Sequence, residues 1–89
     1  MRAVITVIGK DMVGILAKVS AVCAENGVNV VEVTQSILQE MFAMIMMVDI
    51  SDCDVPFTAF SEELNALGKE MGLSVHAMHE DIFNSMHRI

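Results

Sequence analysis

The chain lacks tryptophan and tyrosine, and its aromatic content of 4% comes from four phenylalanines. Its core must therefore be built from aliphatic side chains and nine methionines, which fill irregular spaces and also occur at adaptable contact surfaces. Cations are scarce as well, because five Lys and Arg stand against twelve Asp and Glu, for a formal charge of -7. This charge repels phosphate backbones and anionic lipid, so we expect no direct contact with nucleic acid and none with membranes.

Cysteines and long apolar runs are also few. Cys23 and Cys53 are the two cysteines of the sequence, far short of the dense disulfide framework of a small secreted domain, and we expect both to be free thiols. The longest apolar run, from Met41 to Val48, is shorter than the roughly 20 residues that span a bilayer. The first residues lack the apolar region of a secretory signal. These features together predict a cytoplasmic protein.

The hydrophobic pattern changes period several times along the 89 residues, which have room for one domain. It predicts the order strand, helix, strand, strand, helix, strand, followed by a short tail. The predicted elements are Ala3–Ile8, a helix with Ile15, Leu16, Val19, Val22 and Cys23 on its apolar stripe, Asn29–Leu38, Met41–Ile50, Phe57–Met71 and Leu73–His79. With right-handed crossovers, this order predicts an α+β fold: a ferredoxin-like βαββαβ sandwich, with a four-stranded antiparallel sheet and two helices on one face.

The second face of this sheet is predicted to be apolar and uncovered. The third strand carries Phe42 and Met44 on one face and Ala43 and Ile45 on the other. The second strand is expected to place Val31, Val33 and Ile37 on a single face. An uncovered apolar face is unfavourable for a soluble monomer, so we expect a homodimer or a docked partner protein. The alternative is that the chain's own tail folds back over part of this face.

The chain divides into a domain over residues 1–80 and an amphipathic tail over residues 81–89, in which Ile82, Phe83, Met86 and Ile89 lie on one helical side. We expect this tail to pack on its own domain or on a dimer mate. Docking to another protein is the second interpretation.

The joint between the first strand and the first helix, from Ile8 to Leu16, is the first candidate for a small-molecule site. Asp11 is placed to cap the helix, and the backbone N–H groups of Met12, Val13 and Gly14 are expected to lack partners there. Such donors, together with the helix dipole, suit a ligand carboxylate. Asp11 has two interpretations, as a purely structural cap and as a ligand for an ammonium group.

Asn29 and Val30 at the start of the second strand are expected to complete this site. The Asn29 side chain both donates and accepts hydrogen bonds, which suits a zwitterion. An asparagine that follows a glycine turn is equally explained by its backbone conformation. Because the joint supplies only half of a site, we expect a second subunit to take part.

Two separated segments then resemble the ACT-domain signature, namely Gly9 to Val19, with an Asp-x-x-Gly turn at Asp11 and Gly14, and Glu25 to Val30, with its Gly-x-Asn step. The ending from His79 is similar to small stand-alone ACT proteins related to glycine-cleavage transcriptional regulatory proteins. The resemblance implies binding of an amino acid or similar ligand at a subunit interface, and regulation of a partner protein.

No catalytic set or metal site is predicted. His76 and His79 lie three residues apart on a strand, so they point to opposite faces and do not share a metal. The first loop has neither the cysteine pair of a metallochaperone nor an arginine for phosphate, and Lys10 is its cation. We therefore predict a non-catalytic protein without a cofactor, and rank an unrecognised enzyme below a regulatory or an interaction module.

Overall fold

Four strands and three helices make up residues 1–10 and 14–86, the part of the chain that the computed structural model describes. In chain order they are β1 (Arg2–Gly9), α1 (Ile15–Glu25), β2 (Asn29–Leu38), β3 (Met41–Asp49), α2 (Phe57–Met71), β4 (Ser74–His79) and α3 (Glu80–Met86). The predicted order of elements and the ferredoxin-like architecture are confirmed.

The strands form one antiparallel sheet in the order β2-β3-β1-β4, so β2 and β4 are its edges. The central strand β1 pairs with both β3 and β4, and Ala3 lies opposite Val48 on one side and His79 on the other. Because directly opposite residues share a face, this register assigns each strand residue to a side of the sheet.

The core lies between the sheet and the two longer helices. From β1 it takes Ala3, Ile5 and Val7, which are fully buried, while α2 contributes the buried residues Phe60 and Leu64. Helix α1 contributes its own stripe at three-and-four spacing, Ile15, Val19 and Cys23. Leu16 was expected on that stripe but is exposed, because it follows Ile15 by about 100° around the helix.

The end of α1 is fixed by a buried asparagine. Asn26 accepts the Asp54 backbone N–H through its carbonyl at 2.9 Å, and its side-chain amide donates to the Val22 carbonyl at 2.8 Å and to Glu63 Oε2 at 3.0 Å. Gly27 follows at φ 72, the left-handed conformation that favours glycine after a helix. One residue thus joins α1 to α2 and to the loop after β3.

The pattern predicted for β2 is wrong at Val31. The register shifts between Val30 and Glu32, which leaves Val31 as an extra residue, 51% exposed. Val30 lies opposite the buried residue Val48 and packs against the core, as does Val33. A bulge adds one residue to one strand and so breaks the strict alternation from which the face was predicted.

We call the sheet face opposite α1 and α2 the open sheet face. By register its members are Val4, Thr6 and Ile8 of β1, Met41, Ala43, Ile45 and Met47 of β3, Ser74, His76 and Met78 of β4, and Glu32, Thr34 and Ser36 of β2. Ile8, at its far end, is 45% exposed, and Ile45 is 40% exposed.

Helix α3 covers one end of the open sheet face. It contacts both β1 and β4, and Val4 beneath it is only 1% exposed although Val4 does not belong to the core on the helical side. The alternative that the tail folds back over part of this face is thereby confirmed for the Val4 end. The division of the chain at residue 80 stays a prediction, and residues 87–89, including Ile89 of the predicted apolar side, lie outside the described residues.

Within residues 1–10 and 14–86, none of the helices combines the length and apolarity that crossing a membrane requires.

Candidate functional site

Helix α1 begins one residue after Gly14, which has φ 75 and accepts the first helical hydrogen bond from the Lys18 N–H at 3.1 Å. Gly14 is therefore the N-cap residue, the position for which the sequence predicted Asp11, and among the described residues no side chain caps the helix. The N–H groups without a helical acceptor are those of Gly14, as predicted, and of the first turn from Ile15 to Ala17. Asp11, Met12 and Val13 lie outside the described residues, so their part in binding stays a prediction.

Glycine is required at positions 9 and 14 of the joint for different physical reasons. A Cβ at Gly14 would meet nothing within 4 Å among the described atoms, so its left-handed φ, and not close packing, requires glycine. A Cβ at Gly9 would collide with the Leu73 side chain. Gly9 is thus explained by the packing of β1 against the segment before β4.

A cleft of about 630 Å³ opens at the end of the sheet where β1 finishes. It is lined by Ile8, Gly9, Lys10, Met41, Met71, Gly72, Leu73 and Ser74. Lys10 brings a cation to this cleft, and Ser74 Oγ lies 3.0 Å from His76 Nε2. The sequence singled out Gly9 and Lys10 but not Met41 or Ser74, because the strand register that brings those two to the joint is not a local signal.

Asn29 and Val30 lie at the opposite end of the sheet. Asn29 is exposed and pairs with Asp49, which pairs in turn with Arg2, whereas Gly9 pairs with Phe42. At about 3.3 Å per residue, the seven-residue offset from Arg2 to Gly9 separates the two ends by roughly 20 Å. Val30 is half-buried against the core. Within one chain the structure therefore does not bring Asn29 and Gly14 together.

The histidines of β4 point to opposite faces, as predicted. His76 lies opposite Thr6 on the open sheet face, whereas His79 lies opposite Ala3. The centroids of the His79 and Phe57 rings are 4.3 Å apart, and the rings are tilted by 31°. In the described part of the chain we find no group of three His, Cys, Asp or Glu side chains arranged to hold a metal ion.

Both cysteines are free thiols, as expected. Cys23 is fully buried in the core, and this burial, with a smaller contribution from nearby Cys53, raises the pKa of its thiol from 9.0 to about 11. The Cys23 thiol is therefore protonated and unreactive at neutral pH.

The β1–α1 joint and the βαββαβ topology together define a small ferredoxin-like α+β domain. The ACT domain signature matches residues 2–78 of the chain. A UPF0237 protein of Methanocaldococcus jannaschii is 49% identical over 88 residues, which cover 99% of this chain and 98% of that relative. The chain therefore belongs to the ACT-domain family and, within it, to the UPF0237 proteins.

Solved structures agree with this assignment. An ACT domain protein from Streptococcus pneumoniae superposes with a TM-score of 0.81 at 38% identity and covers 93% of both chains. A proposed glycine cleavage system transcriptional repressor gives 0.68 at 23% identity, over 85% of this chain and 43% of the other, and so shows the shared fold. The ligand-free regulatory subunit of aspartate kinase from Thermus thermophilus superposes with a TM-score of 0.62 at 28% identity, over 85% of this chain and 49% of that subunit.

Proposed function

We propose that this protein is a non-catalytic regulatory module that binds an amino acid or a related small metabolite at a homodimer interface. The observation that carries the proposal is the position of β2 at the edge of the sheet, with Asn29 at one end and the β1–α1 joint beyond the other. Antiparallel pairing of two β2 edges around a two-fold axis exchanges those ends. Asn29 of the partner subunit would then lie beside the end of β2 that is near the joint.

The edge of the sheet suits such pairing. Natural edge strands are usually protected by lysine, proline, inward-pointing charge or a bulge. Strand β2 has the bulge at Val31, but it carries Glu32 as its one charged residue and contains no proline. Helix α1 contacts β2 and so lies on that side of the helical layer. The start of α1 is therefore on the side of the molecule that pairing would cover.

The chemistry of the joint suits a zwitterion in spite of the net charge of -7. First-turn N–H groups of α1 and the Lys10 ammonium favour a ligand carboxylate, and the Asp11 carboxylate favours a ligand ammonium. The side-chain amide of Asn29 can donate to the ligand carboxylate or accept from the ligand ammonium group. Met12, Val13, Gly14 and Val30 would line the remaining surface.

A non-catalytic role is supported by the composition of the clefts. Ser74 and His76 are hydrogen-bonded on β4, but both side chains are exposed to water and no described carboxylate orients the histidine ring. The two free thiols support a reducing, cytoplasmic location. A regulated partner protein would respond to ligand binding.

The alternative function is a ligand-free dimerisation or protein-interaction module acting through the Met-rich open sheet face and the tail. It is favoured by the exposed side chains of Met41 and Ile45. A saturable small-molecule site that disappears on substitution at the joint would argue against it.

Calorimetry and thermal shift with each of the common amino acids test the main proposal. We expect at least one to bind saturably, and binding to be lost in Asp11→Ala and in Asn29→Ala. Asn84→Ala, an exposed asparagine on α3, is the matched control and should bind as the wild type does. A folded protein that binds none of the amino acids or related metabolites would refute ligand sensing.

A further inference from the structure

The open sheet face is apolar and uncharged at its centre, in a chain whose net charge is -7. The charged residues in register with it, Arg2, Asp49 and Glu32, lie at its borders. Two copies of such an acidic protein repel each other over most of their surfaces. At this face they can meet without placing carboxylates opposite each other, which favours a second copy of the chain over a basic or acidic partner.

Helix α3 limits how much of this face is available. Val4 is 1% exposed and its neighbour Met78 on β4 is half-buried, at the end where α3 contacts β1 and β4. With α3 in place, the most exposed apolar side chains of the face are Ile8, Met41 and Ile45, each exposed by about two-fifths. Three such side chains fall well below the roughly 800 Å² per partner of a stable interface.

One ion pair fastens the start of α3 to β1. Arg2 Nε lies 2.8 Å from Glu80 Oε2, and Arg2 Nη2 donates to Glu80 Oε1 at 3.2 Å. The helix has seven residues, too few to be stable in water without packing partners. Its position on the sheet therefore depends on this forked ion pair and on apolar contact with the face beneath it.

We propose that α3 gates a self-association surface, so that displacing α3 lets the open sheet face pack against the same face of a second copy. Displacement uncovers Val4 and Met78 and joins them to Met47, Ile45 and Ile8 in one apolar surface. This interface is separate from the β2 edge, and the proposal does not rest on ligand binding.

Charge reversal in the full-length chain tests the gate. Glu80→Lys places two cations side by side at the start of α3. We expect the association constant measured by sedimentation to rise about tenfold, and a species of twice the wild-type mass to form. Adding Arg2→Glu restores an attractive pair and should return the wild-type mass. Glu70→Lys, on the exposed side of α2, controls for the same change in net charge.

The face itself is tested in the Glu80→Lys background. Adding Ile45→Gln, which changes no charge, should abolish the doubled species. Hydrogen exchange of the α3 amides reports the displacement directly, and it should be faster in Glu80→Lys than in Glu70→Lys. Faster exchange without any gain in mass would overturn the self-association surface, and unchanged exchange would overturn the gate. The gate is judged by the doubling of mass relative to the wild type. A monomeric wild type would therefore refute the β2-edge dimer but would leave the gate proposal testable.

Discussion

The side-chain amide of Asn26 donates a 3.0 Å hydrogen bond to Glu63 and so connects the end of α1 directly to α2. Asn26 is only 7% exposed, and its side chain also donates to the Val22 carbonyl. Because Asn29 follows three residues later, this contact fixes the direction in which β2 leaves the helix. The predicted ligand residue Asn29 thus follows a segment that a part-buried polar contact holds in place.

Asn26→Ala should lower the free energy of unfolding by about 1–3 kcal/mol, because it removes two hydrogen bonds and leaves the Val22 carbonyl and the Glu63 carboxylate without that donor. Urea unfolding followed by circular dichroism measures the change. Glu63→Gln keeps an acceptor at the same position and should lose less stability than Asn26→Ala. Equal losses from the two variants would show that the charge on Glu63 matters more than its geometry.

Gly9→Ala should destabilise the protein by about 1–3 kcal/mol, because its Cβ collides with Leu73 and forces that side chain to repack. In a Leu73→Ala background the collision is gone, and the same substitution should be neutral or stabilising, since alanine restricts the unfolded chain more than glycine does. The double-mutant cycle by urea unfolding isolates this coupling. Independent, additive effects would refute the packing explanation for Gly9.

The buried thiol of Cys23 should make stability depend on alkaline pH. Its pKa is about 11 in the folded protein against 9.0 for an ordinary thiol, so the unfolded chain loses its proton first as the pH rises. The contribution is fully present below pH 9 and is lost progressively up to about pH 11, at roughly 1.4 kcal/mol per pH unit. Urea unfolding at several pH values should show this slope in the wild type and in Cys53→Ala. Cys23→Ala, although less stable overall, should lack it.

Local patterns predicted those features that depend on neighbours in sequence. The three-and-four spacing around Phe60 and the alternation of β3 around Met44 correspond to the buried residues of the structure. The bulge at Val31 was missed, because nothing in the alternation marks an inserted residue. The 20 Å separation of Asn29 from the joint was also missed, since it follows from the antiparallel course of α1 between β1 and β2.

A site shared between two chains makes a prediction that a site within one chain does not. In the proposed dimer each site takes Asp11 from one subunit and Asn29 from the other, so Asp11→Ala and Asn29→Ala homodimers should both fail to bind. When the two variants are unfolded together and refolded as a mixture, half of the dimers contain one subunit of each kind. Each of these mixed dimers carries one intact site and one site that lacks both residues.

Calorimetry on the refolded mixture should therefore recover roughly a quarter of the wild-type number of sites, at wild-type affinity, because random pairing restores one site in four. Refolding each variant alone is the control and should restore none. If Asp11 and Asn29 instead formed a single site within one chain, mixing would restore nothing, since every chain would still lack one of its residues. Within one chain Asn29 lies roughly 20 Å from the end of β1 that leads into the joint, so recovery would assign the complementing residue to the second subunit.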